Sequence, residues 1–240
     1  MKTSISKRMF QYLAAPMSAI LLGMGLLFTS TVSAQDNMSI VGSPHDFRSE
    51  GWANQNNEIC VVCHTPHNAI SPSDGPLWNR TLTTATYTLY LPNTTPGSDI
   101  QGTGFNQPTG VSRLCLSCHD GTIAVDSFGR NGDGTPFVLG TTYVGDLNAN
   151  ANIGDGIAGG TTGDLSNDHP VAFTFPAPGA DIEIVSPTGG QVAGLLPLFG
   201  TGNDQMECAT CHDVHATNTF DELLRVDNDG SGLCLTCHIK

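Results

Sequence analysis

Apolar residues in this chain come mostly in short runs, and only one run is long. Met9 to Phe28 is almost uncharged, follows Lys2, Lys7 and Arg8, and leads to Val32-Ser33-Ala34. A basic start, an apolar middle and a small-residue end are the layout of a removable export signal. A membrane-spanning helix needs about 20 strongly apolar residues, whereas this run is interrupted by Gln11, Pro16 and Ser18. Residues 1–34 are therefore expected to be cleaved, leaving a mature chain that begins near Gln35 and has no membrane span. Its expected place is outside the cell or on the cell surface, with the periplasm as the alternative.

Beyond residue 34 the pattern predicts few regular elements. Thr81 to Leu91 is enriched in β-branched and aromatic residues and reads as a strand or hairpin. Convincing helical periodicity is scarce; single helical turns are expected around the cysteine pairs described below and at Asp221 to Val226. A segment at 131–164, rich in Gly, Asn, Thr and Asp with short apolar pieces, reads as loop with at most a strand. With 28 Gly and 14 Pro in 240 residues, a loop-dominated fold is expected.

The cysteines change this picture. All eight fall in four copies of Cys-x-x-Cys-His: Cys60 and Cys63 before His64, Cys115 and Cys118 before His119, Cys208 and Cys211 before His212, and Cys234 and Cys237 before His238. This is the attachment signature of c-type haem, in which both thiols bond the porphyrin and the histidine ligates iron. Disulfides are the usual use of cysteine after export, but they give no reason for His to follow each pair. Zinc uses paired cysteines too, and also leaves the four histidines unexplained. Four covalently attached haems are thus expected, too many for a chain of this length to enclose in an ordinary apolar core. The predicted fold class is a multihaem c-type cytochrome, mostly loops and short helical turns with minor β, wrapped around four stacked haems.

The motifs are of two alternating kinds. The first and third continue to a second histidine, His67 and His215; the second and fourth read Leu-Cys-Leu-x-Cys-His. A lone histidine, His45 or His169, precedes each pair of motifs. The order therefore occurs twice, giving a first dihaem module at 35–130, the connector at 131–164 and a second module at 165–240. Four irons with two axial positions each need eight imidazoles, and the chain has eight histidines. His64, His119, His212 and His238 are the adjacent ligands; His67, His215, His45 and His169 are expected on the opposite faces. His67 and His215 lie on the same face of a turn as the histidine three residues before them, so each is expected to serve a neighbouring haem rather than its own. Methionine is the competing ligand, but only Met38 and Met206 follow the leader, and Met206 is too near Cys208 to cap that haem. All-histidine coordination implies comparatively low potentials. The acidic string Asp227 to Gly232 opens like a calcium loop, but its twelfth position is His238, so it reads as a turn.

The leader carries three of the nine bases and none of the 22 acids, so the remainder stands at about −16. Nucleic acid, bound chiefly through Lys and Arg, is excluded as a partner; basic redox partners or cations remain compatible.

Taken together, the His45-Asp-Phe entry, the residues from Cys60 to Asn68, Leu77-Trp-Asn-Arg80, Ser112 to Thr122, Asp168-His-Pro-Val171, Glu207 to His215 and the Leu233-to-His238 ending resemble the OmcE-type tetrahaem extracellular cytochromes. That resemblance implies subunits that polymerise head to tail into conductive filaments, with a continuous haem chain and a histidine of one subunit completing a haem of the next. His45, close behind the leader, is the candidate for that crossing. The expected function is non-catalytic electron transport, passed to other cytochromes or to extracellular acceptors, with no catalytic residue. The alternatives are a monomeric periplasmic electron shuttle and, less favoured because every iron is capped and no Cys-x-x-Cys-Lys occurs, a multihaem reductase.

Overall fold

The computed structural model describes residues 40–53, 58–70, 75–90, 106–129, 140–154, 160–215 and 220–239. The expected leader lies outside them. The described residues form four short helices, α1 (Gly110–His119), α2 (Val144–Leu147), α3 (Cys208–Cys211) and α4 (Gly232–Cys237), of which α1, α3 and α4 carry cysteine motifs. The first motif occupies a hydrogen-bonded turn without becoming a full helix; Cys63 and His64 both donate their amides to the Cys60 carbonyl, at 3.1 and 2.8 Å. Single 3₁₀ turns sit at Phe47–Ser49, Ala149–Ala151, Asp221–Leu223 and Asp229–Ser231. The last is held by Asp229 N donating to Asp227 Oδ1 at 2.9 Å, so the calcium-like string is a turn leading into α4. No helix among the described residues is long and apolar enough to cross a membrane.

Strands are minor and paired in twos. β1 (Thr86–Leu89) falls within the predicted strand, but its partner is not the other arm of a hairpin. It pairs in parallel with β2 (Thr162–Leu165), Tyr87 opposite Gly163, at the end of the connector. The pairing needs glycine there: a Cβ on Gly163 would lie 2.7 Å from the Gly154 carbonyl and 2.9 Å from the Tyr87 ring. β3 (Phe173–Thr174) pairs antiparallel with β6 (Gln205–Met206), and β4 (Gln191–Val192) with β5 (Leu196–Pro197).

The apolar core is divided into small clusters, and the clusters border the cysteine motifs. Phe173, Phe175, Val192, Leu196, Leu198 and Met206 pack against Cys211 and Cys237. Ala53, Val62 and Phe128 pack against Cys63. Tyr87, Leu116 and Leu165 form a third cluster, with Leu116 inside the second motif. The loop-rich architecture with few helices and minor strands follows from this composition.

Candidate haem-binding sites

The first Cys-x-x-Cys-His lies on a hydrogen-bonded turn, the second closes α1 with its histidine as the last helical residue, and the third and fourth lie on α3 and α4. In the third and fourth motifs the histidine is the first residue past the helix, its amide still donating to the first cysteine carbonyl, at 3.1 Å for His212 and 2.8 Å for His238. No disulfide joins any of the eight cysteines. Among the described residues no His, Cys, Asp or Glu are gathered in threes as a tetrahedral zinc site requires.

The ring nitrogens give a sharper test of fit. His64 Nδ1 lies 2.8 Å from the Pro76 carbonyl, His119 Nδ1 2.7 Å from that of Ala151, and His212 Nδ1 2.8 Å from that of Glu222. A carbonyl can only accept, so each Nδ1 carries the proton and each Nε2 keeps a free lone pair. That is the tautomer and the outer-shell hydrogen bond of a metal-ligating histidine. The three carbonyls come from backbone that any residue type supplies, which is why no sequence pattern pointed to them. Ala151 belongs to the connector, whose Ile153 amide also donates to the His119 carbonyl at 2.6 Å; the segment thus supports the second motif.

The surroundings of the first and third motifs agree bond for bond. The Cys63 carbonyl accepts from Asn79 N at 2.9 Å, and the Cys211 carbonyl from Arg225 N at 2.8 Å. Thr65 N donates to Leu77 O and Asp213 N to Leu223 O, both at 2.8 Å. The side chains of Asn79 and Arg225 donate to Val61 O and Ala209 O, the residues following the first cysteine of each motif. Leu77 and Leu223 both adopt positive φ, 56° and 61°.

The structure brings two of the four remaining histidines onto adjacent ligands. The His45 and His119 rings have centroids 5.9 Å apart with planes at 73°. The His64 and His215 rings are 6.1 Å apart with planes at 29°. Two imidazoles sharing one metal, at about 2 Å per bond, have ring centres about 6 Å apart. His45 Nδ1 is buried without a hydrogen-bond partner, a state that costs roughly 1–3 kcal/mol when nothing takes the nitrogen. Burial, aided by His119, His212 and His215 nearby, holds His45 neutral with a pKa pushed down to about 4. His119 is lowered by burial too, against the Ala151 carbonyl. His45 thus lies against a histidine of its own chain. His67 and His169 are exposed, and His169 Nδ1 lies 3.0 Å from the neighbouring Pro170 carbonyl.

The thiols also mark which motifs are neighbours. The Cys115 and Cys208 thiols interact, which raises the pKa of the first and lowers that of the second. Burial pushes Cys63 up to about 11, with Arg80 opposing and Cys118 adding to the rise. Burial does the same to Cys211, with Cys237 adding.

The family described as "Doubled CXXCH motif" matches residues 201–240, the stretch holding the third and fourth motifs. No curated protein matches the chain. The match indicates a multihaem c-type cytochrome over that stretch, where the Cys-x-x-Cys-His motifs point to covalently bound haem, and it supports a part in electron transfer.

Proposed function

We propose that the chain conducts electrons along four c-type haems, each capped by two histidines, as a subunit of an extracellular conductive filament. Haem iron supplies the one-electron Fe(III)/Fe(II) couple; the polypeptide fixes spacing, axial ligation and access. The observation that carries the reading is the serial contact of the attachment motifs. Arg80 ties the turn of the first motif to the loop after the second, Ser112 and Glu207 join the helices of the second and third, and Cys211 and Cys237 border one apolar cluster. Motifs that border one another in this way would hold their haems close together.

The paired rings of His45 with His119 and of His64 with His215 favour closed irons over a reductase. A closed iron has no position for substrate, so no catalytic residue is assigned. Carbon monoxide added to the reduced protein is expected to leave its spectrum unchanged; a shifted spectrum would mark an open iron and favour the reductase.

Assembly is supported by an apolar surface beside the fourth motif. Val185 N donates to Cys237 O at 2.8 Å and Ile239 N to Glu183 O at 2.7 Å, which pairs residues 183–185 with the chain leaving α4. Ile182 and Ile239, at the ends of this pairing, are left 87 and 55% exposed, and exposed apolar residues gathered in a patch are what marks an interaction surface. The polymer would run from an exported, cleaved chain to further cytochromes or extracellular acceptors. Electron microscopy of the native secreted material, with its haem-to-protein ratio, tests the whole reading. Filaments with four haems per chain are expected. Monomers with four haems would favour the periplasmic shuttle, and fewer than four haems would end the tetrahaem reading.

A further inference from the structure

We propose that Asp120 holds down the potential of the second haem: its buried carboxylate, directly after His119, sets a fixed negative charge beside the iron that His119 ligates. The proposal rests on the reading of a covalent haem at each motif, and adds which residue of this chain tunes one of them.

Asp120 is fully buried, and four donors converge on it. Thr83 Oγ1 and Tyr87 OH donate to Oδ2, both at 2.6 Å, while Thr122 N and Oγ1 donate to Oδ1, both at 2.8 Å. Four received hydrogen bonds fill the acceptor sites of an ionised carboxylate. All four donors are neutral, and Asp120 takes part in no ion pair among the described residues. The cation of the network, Arg113, donates its Nε to the Thr83 carbonyl instead, at 2.9 Å.

For stability alone the carboxylate is badly placed. It follows the C-terminal end of α1, where the helix dipole is negative and an acidic side chain is disfavoured. A buried charge without a cation is disfavoured as well. Dipole and carboxylate act on His119 in the same direction. Burial lowers the His119 pKa, and the Ala151 carbonyl and the Asp120 charge both oppose that fall.

The other motifs differ at this place. The residue after the ligating histidine is Thr65 in the first, Asp213 in the third and Ile239 in the fourth. Asp213 pairs with Arg225 Nη1 at 2.8 Å, so its charge is offset. Glu207, also buried near the second motif, meets α1 at its start and not at its histidine. Oxidation of haem iron adds one positive charge, which a fixed negative charge stabilises, so the potential falls. The bonds from Nδ1 to a carbonyl are common to His64, His119 and His212 and do not set the second haem apart; Asp120 does.

The test is a potentiometric titration of the full haem-loaded chain, with attached haem counted by mass. Asp120→Asn keeps the shape and removes the charge. It is expected to raise one of the four potentials, moving that haem about tenfold towards the ferrous form at a fixed applied potential, or about 59 mV for one electron. Thr83→Val removes one donor but keeps the carboxylate, and is expected to move the same potential far less. With the second haem removed by Cys115→Ser and Cys118→Ser, Asp120→Asn should leave the other three potentials in place. Four unchanged potentials in Asp120→Asn, or an equal shift in Thr83→Val, would overturn the role of the charge. A shift that survives loss of the second haem would show that Asp120 acts elsewhere, and the assignment to His119 would be wrong. Should Asp120→Asn not accumulate, Arg113→Met removes the cation of the network and is expected to lower the same potential; no change there defeats the proposal. Absence of haem from the second motif of the unmodified protein would end the four-haem reading itself, and this proposal with it.

Discussion

Arg80 is only 1% exposed, and its guanidinium is spent on backbone carbonyls. Nη1 donates to Val125 O at 2.8 Å and Nη2 to Ala124 O at 2.7 Å, while Val62 O lies 3.5 Å from Nη1 and Nε is unpartnered. One side chain thereby fastens the loop after the second motif to the turn of the first. Replacing it with Met would leave two buried carbonyls unpaired at roughly 1–3 kcal/mol each, partly offset by removing a buried charge. Arg80→Met is expected to cost about 2–4 kcal/mol in denaturant unfolding of the haem-loaded protein. Arg80→Lys should fall between, because an ammonium cannot reproduce the planar fork; wild-type stability in Arg80→Met would dismiss the anchor. The eight histidines stood out in the sequence as candidate ligands, because a ligating side chain carries its own signal. Arg80 stood only as part of a motif, since nothing local signals burial that depends on carbonyls 44 and 45 positions away.

Helices α1 and α3 cap each other, although they belong to different halves of the chain. Thr109 precedes α1 without a side-chain cap. Its role falls to Glu207, whose carboxylate accepts from Ser112 N at 3.0 Å and from Ser112 Oγ. In return Ser112 Oγ accepts from Cys208 N, the first amide of α3, at 3.0 Å. A carboxylate at a helix start satisfies orphan amides and meets the positive end of the dipole. Cys115 and Cys208 are brought together by this arrangement. Glu207→Ala and Ser112→Ala are each expected to cost about 1–3 kcal/mol. Because they break one network, the double variant should cost less than the sum, by roughly 0.5–3 kcal/mol. Additive losses in a double-mutant cycle would show that the two residues act separately. At this scale the cysteine motifs announced their own turns, because Cys-x-x-Cys-His needs one. The partner of each turn was hidden: Ser112 and Glu207 have no shared periodicity, and β1 finds its mate across the connector instead of in the next few residues.

Among the described residues the apolar side chains do not meet in one interior. One cluster of six buried residues includes Leu196, one of three includes Val62 and one of three includes Leu116, and each borders a cysteine motif. A porphyrin attached at those motifs would add a large apolar face to the clusters. The polypeptide alone has to offset the conformational entropy of a loop-rich chain, about 1–2 kcal/mol per residue for the backbone, with clusters of three to six side chains. Small or divided cores of this kind need a covalent or cofactor staple. The chain is therefore expected to fold only as haem is attached. With all eight cysteines changed to serine, or with the wild-type chain kept reduced and haem-free, heating should give no cooperative transition by circular dichroism. Amide exchange should be fast even at α1 and in the cluster around Leu196. Using both haem-free forms separates loss of haem from loss of the thiols themselves. A sharp melt in either one would mean that the three clusters suffice, and that the haems are guests in a finished fold. Unfolding in both, with a cooperative melt restored in the loaded protein, would make attachment and folding one event.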